Sequence, residues 1–228
     1  MKRTTILTIL LSSAFSFGQK IEMSDLSAAG SPVSLSVKVD SEDSGLFTTV
    51  LAHNNSMKGV LAIVATVEVT DPHGQVLSII ARQDYVFKYG VIGPGNDRGI
   101  AWTDSPLELP HPVGGVTAHP DANVTPHAEG VVSFVQFEDG SIWGDPRAAK
   151  GMIAQRPEKL AFLQHLVDVY NMGGEAAFAA ALDEPKAGSP ASIAGCLKVD
   201  ADHDKIARID LAGKRLAAAQ EWHSAGIF

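Results

Sequence analysis

The chain has 228 residues, 45% of them hydrophobic and 19% charged, with 21 glycines and 12 prolines. This ordinary globular composition excludes a collagen-like, coiled-coil or wholly disordered protein. Acidic residues outnumber basic ones by 26 to 18, for a formal charge of −8, which argues against a general nucleic-acid binder; the single cysteine excludes an intrachain disulfide framework and a cysteine-based zinc cluster.

Residues 1–18 have the layout of a secretory signal peptide. Lys2 and Arg3 begin it, an apolar run covers 6–17, and the small residues Ser16 and Gly18 stand before Gln19. The run is shorter than the ~20 apolar residues that a membrane span needs. The expected product is secreted or periplasmic, with no integral membrane segment after cleavage. Residues 19–30 read as a polar linker.

From residue 31 apolar and polar side chains alternate. Val33, Leu35, Val37 and Val39 interleave with Ser34, Ser36, Lys38 and Asp40, the period of a strand with one buried face. Further strands are expected at 46–54, 60–70, 75–82 and 85–89, with Ile63, Ala65, Val67 and Val69 sharing a face. Asp71-Pro72-His73-Gly74 has the preferences of a type I turn. A short strand around Trp102 comes next, and the proline- and histidine-rich stretch 104–129 reads as loop. Strand pattern returns at 130–137, with Val131, Val135 and Phe137 expected on one face and Val132 and Phe134 on the other. Asp139-Gly140 marks a hairpin into Ser141-Ile142-Trp143. Short turns between antiparallel strands favour two packed layers over residues 31–145.

Residues 146–228 read as a helical C-terminal extension. Leu160, Leu163, Val167 and Tyr170 recur at helical spacing after Pro157, and Gly173-Gly174 is a stop. A second, alanine-rich helix is expected at 175–182, a linker at 186–195, and a last helix at 204–223 with Ile206, Ile209, Leu216 and Trp222 as apolar contacts.

The passage Asn54-Asn55-Ser56-Met57-Lys58 running into Gly59-Val60-Leu61-Ala62-Ile63, and the hairpin from Phe134 to Ser141, resemble bacterial exported immunoglobulin-like and fibronectin-like β-sandwich proteins. The resemblance is architectural and covers about half the chain. It implies a mainly β fold with an α extension: an antiparallel immunoglobulin-like β-sandwich over 31–145, followed by C-terminal helices. Such sandwiches mostly serve as binding or spacer modules, and fold alone assigns no activity.

His111, His119 and His127 stand eight residues apart, with Asp121 and Glu129 nearby. Neutral imidazoles bind zinc or copper, and three make an open site. Each of these histidines also neighbours a proline, which favours extended chain with surface histidines. Asp200-Ala201-Asp202-His203-Asp204 imitates the opening of a calcium loop, but Lys205 replaces the required glycine and Leu211 the closing glutamate. Acidic residues at a helix start explain the segment better.

The chain carries no nucleophile elbow, zincin helix, Walker loop or dinucleotide fingerprint. Asp84, His53 and a serine make a triad only on paper. Glu138 and Asp139 read as solvated turn residues, and Cys196 as a small buried hydrophobe. Trp102, Trp143, Tyr85, Phe87 and Tyr89 read as core aromatics. The function expected is a non-catalytic binding or scaffolding role toward a protein or cell-envelope component, without nucleic acid. The alternatives are a zinc- or copper-binding protein using the loop histidines, and a hydrolase whose site the sequence does not identify.

Overall fold

The structure, a computed structural model, describes residues 22–25, 29–42, 45–70, 76–88, 90–103, 127–185, 188–204 and 206–228. The signal-peptide segment, the Asp71–Gly74 turn and most of the histidine-rich stretch lie outside the described residues. Eight strands come first: β1 (Glu22–Asp25), β2 (Val33–Glu42), β3 (Gly45–Asn54), β4 (Val60–Thr70), β5 (Val76–Asp84), β6 (Asp97–Thr103), β7 (His127–Phe137) and β8 (Ile142–Gly144). Four helices follow: α1 (Pro146–Ala154), α2 (Arg156–Asp183), α3 (Gly188–Asp204) and α4 (Arg208–Ser224).

β2, β3 and β6 form a three-stranded antiparallel sheet in that order. The second, five-stranded sheet has the order β1-β7-β4-β5, with β8 also paired to β7. All its pairs are antiparallel except β1 with β7, which run parallel from Glu22 opposite His127. β1 falls in the stretch expected as linker. The edge of β7 offers unpaired backbone donors and acceptors there, and a passing segment satisfies them.

Alternation places Val33 and Leu35 of β2, Val50 and Ala52 of β3, and Ile100 of β6 in one apolar core. The five-stranded sheet adds Leu61, Ile63, Ala65, Val67 and Val69 from β4, and the helices add Leu163, Leu166, Leu197 and Leu211. β4 is buried on its other face too, where Ala62 and Val64 meet Phe134, Ala149 and Met152. The centre of the second sheet is therefore covered on both sides, one of them by α1.

β7 departs from simple alternation. Val64 pairs with Phe134 and Ala65 with Val132, so Ser133 is an extra residue; its Oγ donates to the Val64 carbonyl at 3.2 Å. A bulge of this kind reverses which face the following side chains take. Val132 thus joins Val135 and Phe137 in the main core, whereas Val131 is 40% exposed. That corrects the expected grouping of Val131 with Val135.

Residues 85–87, expected as strand, form a single 3₁₀ turn capped by the Asp84 carboxylate, which accepts from Val86 N. Tyr85, Val86 and Phe87 are all buried, which a strand with one solvated face cannot achieve for three consecutive residues. The Asp139-Gly140 hairpin forms as expected. Gly140 has φ +81°, Asp139 Oδ1 accepts from Ser141 N at 3.0 Å, and β8 pairs back on β7.

α1 starts at Pro146, with Asp145 Oδ1 accepting from Arg147 N at 3.0 Å, the usual cap before a first-turn proline. α2 breaks at Gly174 (φ 69°, ψ −160°), where the stop was expected, and the alanine-rich segment continues beyond it. α3 covers most of the expected linker. Its Ile193, Ala194, Leu197 and Ala201 form a buried stripe at helical spacing, and burial of that stripe outweighs the Gly-, Ser- and Pro-rich composition. After α4 the chain returns to the sheets: the Ile227 carbonyl accepts from Gln136 Nε2 at 3.3 Å, and the Phe228 ring lies 6.2 Å from that of Phe87. Among the described residues no helix is long and apolar enough to cross a membrane.

Candidate functional site: a cationic cavity on the helical flank

Of the three histidines singled out from the sequence, His127 alone falls among the described residues. His127 opens β7, exposed, with Glu22 and Thr70 opposite it; positions 111 and 119 lie outside the described residues. Among the described residues no three His, Cys, Asp or Glu side chains cluster as a metal group.

The members of the paper triad are engaged elsewhere. His53 Nδ1 lies 2.7 Å from Asp97 Oδ1 across the β3–β6 pair. Asp84 receives two bonds from Arg156, Nε to Oδ2 at 3.0 Å and Nη2 to Oδ1 at 3.1 Å, with both side chains almost fully buried. The calcium-like acids sit on α3, where Asp200 pairs with Arg215 and Asp202 with Arg208. Glu138 accepts from Gly59 N at 3.0 Å. The Lys58 ammonium and the Ser141 hydroxyl and amide hold the Asp139 carboxyl well below the usual carboxylate range. These turn acids are more tied down than solvated turn residues would be.

A further group of charged side chains converges on one cavity of about 710 Å³. β5 brings Arg82 and Gln83 to it, the 3₁₀ turn Phe87, and Lys88 follows directly; α1 and α2 bring Arg147 and Lys159. α3 and α4 close it with Ile193 and Arg215. Among the described residues five lysines and arginines line the cavity, and the one lining carboxylate, Asp84, is committed to Arg156. Cys196 also lies on this wall and is exposed, which corrects its reading as a buried hydrophobe: Ile193 and Leu197 take the buried stripe of α3, and Cys196 falls outside it.

Lys88 is the unusual member. Burial pulls its ammonium pKa below the ordinary lysine value. Its Nζ donates to the neutral Gln83 Oε1 at 2.9 Å, and no described carboxylate lies within ion-pair distance. Arg215 is 3% exposed; it donates from Nη2 to Asp200, while its Nε has no hydrogen-bond partner among the described residues. Lys159 lies over the Phe87 ring, 5.8 Å from its centroid, a cation–π geometry. The site can therefore present several donors and net positive charge beside apolar surface.

None of these cations was singled out from the sequence. They come from five separate elements, and no spacing links them. The one local signal was Lys88, a cation inside the aromatic run from Tyr85 to Tyr89. Comparison with protein-family models, with curated proteins and with solved structures finds no match for the chain.

Proposed function

We propose that this chain is an exported, non-catalytic binding protein: an immunoglobulin-like β-sandwich with a helical extension that walls a ligand cavity against the sheet edge. The cavity carries this reading. Its volume of about 710 Å³ falls among small-molecule pockets, and its charged and polar groups are interspersed with apolar surface from Phe87, Met152 and Ile193. The shared core of the two sheets supports the sandwich. The basic, apolar and small-residue order of positions 1–18 supports export. A binding role also fits the engagement of Asp84, His53 and Asp139 in ion pairs.

Gly151 of α1 lines the cavity, and a Cβ added there meets no atom within 4 Å. Gly151→Trp is therefore expected to fill the space at little cost to the fold. In a thermal-shift screen of neutral, cationic and anionic metabolites, at least one compound should raise the melting temperature of the wild type and not of the variant. A compound set that shifts both proteins alike would place binding elsewhere. Turnover in esterase, glycosidase and peptidase assays, lost on mutating one described acid or histidine, would replace this reading with a hydrolase. Amino-terminal sequencing of the exported form should begin at Gln19; an intact Met1 would remove export.

A further inference from the structure

We infer that the cavity takes an organic anion with more than one negative charge and an apolar body, such as a phosphorylated or polycarboxylated small molecule. The inference rests on the binding role proposed above and names the ligand's chemistry. The whole chain has 26 acids and 18 bases, so a wall with five bases and one committed acid among the described residues runs against the composition, even with Asp200 and Asp145 meeting Arg215 and Arg147 from outside it. Like charges brought together next to low-dielectric protein repel, and a lysine that loses water without gaining a carboxylate costs stability. Lys88 loses water and has no described carboxylate at ion-pair distance, Asp200 and Cys196 offsetting the loss only in part. The Arg215 guanidinium also lines the cavity, with one arm on Asp200 and its Nε enclosed by protein. An anion in the cavity relieves the first two costs. Guanidinium forks suit phosphate and carboxylate oxygens. Phe87, Met152 and Ile193 supply the surface for an apolar body. Arg82 and Arg147 stand exposed at the mouth, where they attract anions from solution in a salt-dependent way.

Two dyes of the same aromatic body test the inference: 8-anilinonaphthalene-1-sulfonate, an anion, and N-phenyl-1-naphthylamine, which is neutral. The wild type should bind the sulfonate at one site, about tenfold or more tighter than the neutral dye, as expected for a charge-assisted contact. Lys159→Glu and the rim variant Arg82→Glu should each weaken the sulfonate by about fivefold or more and leave the neutral dye unchanged. Pyrophosphate and citrate should both displace the sulfonate, and the stronger competitor identifies phosphoryl or carboxylate as the preferred group. Equal affinity for the two dyes, both lost in Gly151→Trp, would overturn the anion and keep the binding cavity. Dye binding indifferent to Gly151→Trp would overturn the cavity itself.

Discussion

The two ends of the five-stranded sheet treat polar groups differently. Around the β7–β8 hairpin most are matched to one another, with the buried Gln136 Oε1 of β7 the exception among the described residues. Asn54 is buried and donates to the carbonyls of Lys58 and Ile92 at 2.8 and 2.7 Å, while its Oδ1 accepts from Ser56. Lys58 Nζ meets Asp139 Oδ2 at 2.6 Å, and Glu138 closes on Gly59. On the helical flank Tyr85 Oη and Arg215 Nε are buried without hydrogen-bond partners among the described residues, and Lys88 is half-buried beside a neutral amide. A matched network holds a turn in shape. Enclosed unmatched donors are a standing cost to the fold, whereas Lys88 lines the cavity, where a bound anion can meet it.

The sharpest way to break this contrast is at the buried Asp84–Arg156 pair of the flank. Arg156→Met should destabilise the protein by ~3–5 kcal/mol, because it leaves the buried Asp84 carboxylate uncompensated. Asp84→Asn combined with Arg156→Met should cost less than half as much in the same denaturant titration. A double variant as unstable as the single one would mean that the pair acts through packing.

Tyr85→Phe should act in the opposite direction. It removes a buried hydroxyl without a partner and keeps the ring that stacks under Arg98, 4.6 Å from the centroid, so a gain of about 1 kcal/mol is expected. Burial pushes the Tyr85 phenol from 10.0 up to about 12. Its folded-state pKa lies above the unfolded one, so the stability it contributes is lost as pH rises from 10 toward 12. Melting curves of the variant should show a smaller alkaline loss across that window.

Lys88→Met separates binding from stability. The folded-state pKa of Lys88 lies below the unfolded one, so the wild type carries a penalty at neutral pH that is relieved as pH rises through the folded value toward the ordinary lysine range. The variant should be at least as stable as the wild type at pH 7 and bind the sulfonate dye more weakly. A clear loss of stability would make Lys88 structural and bring the flank into line with the hairpin.

Asp139→Asn is the mildest change, because the carboxylate is exposed. Its pKa is held low by Lys58 and Ser141, so its contribution is present above the ordinary carboxylate range and disappears as pH falls below it. The wild type should therefore lose stability on acidification slightly more steeply than the variant, with the hairpin amides near Ser141 reporting the change by hydrogen exchange.

What the sequence made legible follows from how locally each feature is encoded. The strands β2 to β4 and the Asp139-Gly140 turn are written in side-chain period and turn chemistry, and both appear where expected. The phase of β7 is not, because Ser133 is one inserted residue that alternation alone cannot reveal. α3 was hidden by Gly188, Ser189, Pro190 and Gly195, whose composition says linker until Ile193, Leu197 and Ala201 find a surface to cover. The cationic cavity was least visible. Arg82, Lys88, Lys159 and Arg215 are far apart along the chain, and only the packing of β5 against the helices makes them neighbours.

Gly144 sits at the corner where β8 ends and α1 begins. With φ +88° and the Ser133 carbonyl against the place where a Cβ would stand, this position admits no side chain without displacing the backbone. The next amide, Asp145 N, donates to that same carbonyl at 2.8 Å, so the tilt of α1 is inherited from a single close approach to the bulge in β7. Descendants of this chain could exchange the residues lining the cavity while the scaffold stayed put. They could not renegotiate this corner, since a change there would swing the whole wall at once.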